Sequence, residues 1–209
     1  MRKKEVLETI HREKLVPVVR TATADLARKA IDLLAANGIS VIELTLTTPN
    51  AVEIIREYSA DQNMLTGAGT VLNVDQAREC VEAGAKFIVS PIFDRQTVEY
   101  CKTEQIAVIP AGITPTEVYR AWEAGADAVK IFPAGSAGGP AFIKALKSVF
   151  PEIRLIPTGG VSTDTIKAFL DAGAFAAGAG TDLIDNALLA NGDTDAIAEK
   201  IKLYRKAVA

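Results

Sequence analysis

Eight short apolar runs recur along this chain at intervals of roughly 20 to 26 residues, each followed by a segment of helical periodicity. Few architectures accept that pattern. Apolar strands joined by helices pair in parallel and are buried on both faces, so each needs helices over it. The runs are LVPVVR from Leu15, VIELTL from Val41, MLTGAGTV from Met64, FIVSPI from Phe87, AVIPAGI from Ala107, AVKIFPA from Ala128, RLIPTGG from Arg154 and AFAAGAG from Ala174. Helix-start chemistry lies between them. Thr48-Pro49 sets a cap before a proline at the first helical position. Thr114-Pro115-Thr116-Glu117 does the same and adds a capping box, and Asn73 to Gln76 offers another.

A finer repeat supports the count of eight. The helices before the second, fourth, sixth and eighth runs close on Gly38, Gly84, Gly125 and Gly173, where a left-handed residue turns a helix toward a strand. Their separation of roughly 41 to 48 residues is two strand–helix units, and the odd runs echo each other as IPAG at Ile109 and IPTG at Ile156. Four copies of a two-unit repeat predict an α/β fold. The expected form is a single (βα)₈ TIM barrel with an N-terminal helix, one domain over residues 1–209. An open doubly wound sheet would carry fewer strands and a glycine-rich phosphate turn after the first, where this chain has Arg20-Thr21-Ala22-Thr23. Hydrophobic residues make up 49% and aromatics 6%, so the core is built from Ala, Val, Ile and Leu.

Composition also removes whole classes of function. A net charge of −3 offers no general attraction for nucleic acid or anionic lipid, so neither is an expected partner. The opening MRKKEVLETIHREK reads as a charged helix with apolar Val6, Leu7 and Ile10. It has no apolar core for a secretory leader, and no run reaches the length of a membrane span. Cys80 and Cys101 lie in helical segments without CxxC spacing, as reduced thiols of a cytoplasmic protein. The single histidine, His11, is expected on the surface of that first helix. With it alone, neither Ser-His-Asp chemistry nor a His-rich metal site is expected, and no metal or cofactor is assigned.

In barrels of this type the site lies at the C-terminal strand ends. Lys130, inside Ala-Val-Lys-Ile-Phe-Pro, is a lysine in a strand that should be buried. Burying it is expensive unless it is paired or neutral, and a neutral amine is what attack on a carbonyl requires. Glu43, in Val-Ile-Glu-Leu-Thr-Leu on the second strand, faces the sixth strand across eight. The two are candidates for imine-forming amine and proton shuttle, or alternatively for a structural ion pair. Thr158-Gly159-Gly160-Val161-Ser162 ends strand seven, with Ser162 expected to cap the next helix. Gly178-Ala179-Gly180-Thr181-Asp182 ends strand eight and is expected to open a short extra helix. Backbone N–H groups of such glycine loops, with helix N-termini, suit a phosphate; tight turns alone are the other reading. Arg20, Thr47, Thr70 and Pro91 complete the rim. Arg20 is placed either to grip a substrate carboxylate or to pair with Glu43.

The ordered motifs Glu43-x-Thr45-x-Thr47, Gly67-Ala-Gly-Thr-Val71, Val89-Ser-Pro91, Lys130-Ile-Phe-Pro133, Pro157-Thr-Gly-Gly160 and Gly180-Thr181 run through nearly the whole chain. Together they resemble the 2-keto-3-deoxy-6-phosphogluconate (KDPG) aldolase family, which also covers 4-hydroxy-2-oxoglutarate (KHG) aldolase activity. The resemblance implies a homotrimeric barrel and a metal-independent, class I mechanism on a small phosphorylated 2-keto acid. It makes Lys130 the Schiff-base lysine and Glu43 the general acid/base. Thr70 and the backbone near Pro91 hold the pyruvyl carboxylate, Phe132 packs beside the imine, and Gly159, Gly160 and Thr181, with Gly180 beside it, receive the phosphate. Some members carry arginine where this chain has Thr47. Others pair threonine there with an arginine ending strand one, as Arg20 does here, which implies that Arg20 binds the carboxylate. The rivals are a sugar-phosphate epimerase or isomerase, which needs no such lysine, and a silent phosphate-binding barrel, which has no reason to keep Lys130, Glu43 and both loops.

Overall fold

The computed structural model describes residues 2–209. Helix α1 (Lys3–Glu13) precedes β1 (Leu15–Val19), α2 (Ala24–Ala36) and β2 (Val41–Thr45). Then come α3 (Ala51–Ser59), β3 (Leu65–Gly69), α4 (Val74–Glu82), β4 (Phe87–Val89), α5 (Arg95–Thr103) and β5 (Ala107–Ile109). The second half supplies α6 (Pro115–Glu123), β6 (Val129–Ile131), α7 (Gly139–Val149), β7 (Leu155–Pro157), α8 (Ile166–Asp171) and β8 (Ala177–Ala179). Two helices close the chain, α9 (Asn186–Asn191) and α10 (Thr194–Val208). Each expected apolar run supplies one strand.

All pairings are parallel. Six strands form a curled sheet in the order β5-β4-β3-β2-β1-β8, and β6 with β7 forms a second sheet. The expected unbroken ring of eight is thus divided at two seams, where the only β-bridges among the described residues are the isolated pairs Ala111↔Lys130 and Thr158↔Gly178. Proline explains both breaks. Pro110 O accepts from Lys130 N at 2.8 Å, so that residue faces β6, yet it has no N–H to give back. Leu155 O accepts from Phe175 N, and Pro157, two residues on, lacks the N–H that faces β8.

Alternation along the strands sorts the core into two layers. Val16, Val41, Leu65, Phe87, Ala107, Ala128, Ile156 and Ala176 come one from each strand or the residue ahead of it. They form an inner cluster with Val6 and Ile10 of α1. Those two side chains give α1 its place beneath the strands, each contributing about 1.5–3 kcal/mol by burial. Phe87 fills this interior because Gly67 opposite has no Cβ; one built there would overlap the phenyl ring. The other face of each strand, with Ile42, Leu44, Ile88, Val108 and Val129, packs under the helices. Among the described residues no helix is long and apolar enough to cross a membrane.

The helix ends test the capping signals one by one. Gly38, Gly84, Gly125 and Gly173 all have positive φ. The Thr114–Glu117 box forms with both hydrogen bonds. Asn73 caps Gln76 N as expected, but the Gln76 amide oxygen accepts from Leu72 N, one residue ahead of the cap. Thr48-Pro49 does not start α3. The Thr48 hydroxyl is buried, accepts from Thr21 N and lies 3.5 Å from Thr45 Oγ1, so Asn50, in the left-handed region, precedes the helix. Ser162 is not the cap of α8 either. Its N–H donates to Thr165 Oγ1 at 2.8 Å, and the helix begins at Ile166. The segment after β8 is a turn closed by Leu183 N and Ile184 N on Gly180 O; the extra helix, α9, starts later, behind its cap Asp185.

Candidate active site

Glu43 and Lys130 owe their position to strand alternation. Val41 and Ala128, two residues before each, belong to the inner cluster, so both charged side chains also point inward. Glu43 is 3% exposed and Lys130 5%. Lys130 Nζ lies 3.5 Å from Glu43 Oε1. That separation holds an ion pair without a hydrogen bond, and Oε1 has no hydrogen-bonding partner at all. A buried carboxylate oxygen left open beside an amine is free to accept a proton from a third molecule placed between them. Gly69 is what makes room for it: a Cβ there would overlap Oε1 and stand 2.6 Å from Glu43 Cγ.

Above the pair opens a cavity of about 340 Å³. Its lining includes Arg20, Lys130, Phe132, Gly159, Gly160, Gly180 and Thr181, seven of the residues singled out from sequence. Lys130 Nζ lies 5.4 Å from the centre of the Phe132 ring, within range of a cation–π attraction. At the far wall Gly159 and Gly160 have φ of 82° and 77°. A Cβ on Gly160 would lie 2.8 Å from Gly135 Cα, and one on Gly159 would press on Phe132. These glycines serve a left-handed loop packed against the one after β6, and they leave backbone facing the cavity.

Arg20 does not pair with Glu43. Its guanidinium is exposed at the rim and reaches Thr70 Oγ1 at 3.5 Å. Thr70 sits at φ 59°, a conformation that costs a β-branched residue about 1–3 kcal/mol. Thr47, Thr70 and Pro91 do not line the cavity, and Glu43 lines only the narrow space beneath it. Thr47 is exposed, with its hydroxyl 3.0 Å from Thr45 Oγ1, and Pro91 is half-buried beyond β4.

Sequence reasoning passed over Thr158. It is buried beside Lys130 and lines both the cavity and the narrow space beneath it, where Glu43 also lies. Gly178 leaves space for its side chain, since a Cβ there would overlap Thr158 Oγ1. The available signal was akin to the one that exposed Lys130 and Glu43, a polar residue in or just after an apolar strand. Among the described residues no group of three or more His, Cys, Asp and Glu side chains is placed to hold a metal ion. Cys80 and Cys101 are free and buried, and burial pushes both thiols up to about 12. His11 is exposed as expected, yet it stacks on Phe175 and its Nδ1 lies 2.9 Å from Phe175 O.

The profile of the KDPG and KHG aldolase family matches residues 6–200. A 2-dehydro-3-deoxy-phosphogluconate aldolase of Treponema pallidum is 36% identical over 168 residues, 79% of each chain. A 2-dehydro-3-deoxy-6-phosphogalactonate aldolase of Escherichia coli is 33% identical over 198 residues, 93% of this chain and 96% of that one. Among solved structures, KDPG aldolase from Legionella pneumophila, with pyruvate captured as a covalent carbinolamine, superposes with a TM-score of 0.86 at 28% identity. It covers 94% of this chain and 96% of that one. The chain therefore belongs to the KDPG and KHG aldolase family.

Proposed function

We propose that this protein is a class I aldolase, a lyase that cleaves KDPG to pyruvate and glyceraldehyde 3-phosphate, with KHG as a second substrate. The observation that carries the reading is buried Lys130 in the lining of a cavity walled by two glycine loops, with Glu43 3.5 Å from its amine in the narrow space beneath. A phosphorylated aldol would lie with its keto group at the amine and its phosphate at the loops. Family membership and the carbinolamine of the Legionella relative support the same chemistry.

Lys130 Nζ adds to the C2 carbonyl carbon, and the resulting carbinolamine loses water to give a protonated imine. Glu43 takes the C4 hydroxyl proton, directly or through a water, and the C3–C4 bonding electrons pass into the imine. The aldehyde leaves, and the enamine remains on the lysine. Protonation at C3 and hydrolysis then release pyruvate and restore the amine. One carboxylate handles several proton transfers, which an oxygen without a fixed partner permits. Arg20 with Thr70 would hold the carboxylate, together with Thr47 and the backbone near Pro91. Phe132 would cover the imine, while Gly159, Gly160, Gly180 and Thr181 receive the phosphate and fix the reacting atoms. Residues 1–209 act as one domain, with the two sheets closed through their bridged seams into a (βα)₈ barrel. One inner residue per strand supports that closure. The working form is a homotrimer of the cytoplasm.

Pyruvate release from KDPG, followed by a coupled reductase in excess chelator, tests the activity; no pyruvate from KDPG or its C4 epimer would end this reading. The phosphate wall is tested by Thr181→Glu. A carboxylate in the loop repels the phosphate, and kcat/KM for KDPG is expected to fall by roughly 10²–10³. KHG, which has no phosphate, should stay within about threefold of wild type on the same argument. Equal losses on both substrates would move the phosphate site elsewhere.

A further inference from the structure

We propose that Tyr204, on α10 and outside the cavity, is the positioning residue that holds the two glycine loops at the spacing a substrate phosphate needs. The proposal rests on the reading of those loops as the phosphate site. Tyr204 is fully buried, and its hydroxyl reaches both loops at once. It lies 3.0 Å from Val161 O, directly after Gly159-Gly160, and 2.8 Å from Asp182 Oδ2, next to Thr181. A phenol has one proton, so the two loops share a single donor and each is set relative to the same oxygen. Lys200, one turn earlier on α10, adds its ammonium 3.2 Å from the same Asp182 oxygen.

The loops need such a tie because their composition gives them little of their own. Glycine supplies no side chain to pack, and the seam between β7 and β8 is reduced by Pro157 to an isolated bridge. Among the described residues no other side chain hydrogen-bonds to both loops. Burial and the bond to Asp182 push the Tyr204 hydroxyl above the ordinary phenol range, so it remains a protonated donor throughout neutral pH. The bridge thus joins the Val161 backbone of one loop to the Asp182 side chain of the other, while the Lys130–Glu43 pair lies on strands it does not touch.

Tyr204→Phe keeps the ring in the core and removes only the shared donor. With the loops free to drift, KM for KDPG is expected to rise about tenfold while kcat changes less than about twofold. kcat/KM for KHG should stay within about twofold of wild type. Calorimetric binding of glycerol 3-phosphate should weaken by the same factor of about ten. The ratio of kcat/KM for the two substrates is independent of the fraction of variant that folds, so partial unfolding cannot imitate the effect. Equal losses on both substrates, or unchanged glycerol 3-phosphate binding beside a normal wild type, would overturn the role of Tyr204. Wild-type protein that does not bind glycerol 3-phosphate would overturn the phosphate reading itself, and this proposal with it.

Discussion

Lys130→Ala is expected to lower KDPG cleavage by roughly 10⁴-fold or more, about 5.5 kcal/mol of barrier, because among the described residues no other amine lines the cavity to form the imine. The substitution also strands Glu43 in the interior, at a stability cost of about 3–5 kcal/mol. Activity therefore has to be read per folded molecule, with circular dichroism as the control. Lys130→Met, paired with Glu43→Gln, removes both charges and should recover much of that stability. It should recover none of the turnover. If the pair served only to hold the strands together, the doubly substituted protein would be as active as it is stable.

Glu43→Gln should separate the steps. Glutamine keeps the shape over Gly69 and keeps a polar atom near Lys130, but it cannot take a proton. Steady-state cleavage is expected to fall by roughly 10²–10⁴, the usual range for loss of a general acid/base. Exchange of the pyruvate methyl protons with deuterated water, followed by NMR, should slow with it, while the amine remains able to add to pyruvate. Cleavage within about tenfold of wild type would mean that another group, with Thr158 of the same lining a candidate, moves the proton.

Much of this was legible from the chain because two signals violate their surroundings. A lysine and a glutamate in apolar runs need a partner, and strand alternation with a count of two and six supplies one. Helix-ending glycines carry the period because the left-handed turn they make is local. The parts that escaped are those decided by contacts distant in sequence. Thr48-Pro49 has every mark of a helix start, but its hydroxyl is taken by Thr21 and Thr45 on neighbouring segments. Ser162 caps nothing because its own N–H is bound to the hydroxyl of Thr165, three residues on, and α8 starts only behind that residue. The seams appear only once it is known toward which neighbour Pro110 and Pro157 face. Gly69 reads as one of three small residues in a strand until Glu43 is seen lying over it. Tyr204 gives no sign at all, since its two partners are 43 and 22 residues away. Thr47 and Pro91, carried over from the family pattern, stand at the rim and outside the cavity lining.

The central claim is a covalent bond between Lys130 and a keto acid, and borohydride reduction in the presence of pyruvate tests it most directly. Peptide mass spectrometry should find a reduced pyruvyl adduct on Lys130, formed equally well in excess chelator and absent from Lys130→Met. An adduct on another lysine, or none while cleavage proceeds, would contradict the account and leave the buried pair as structure.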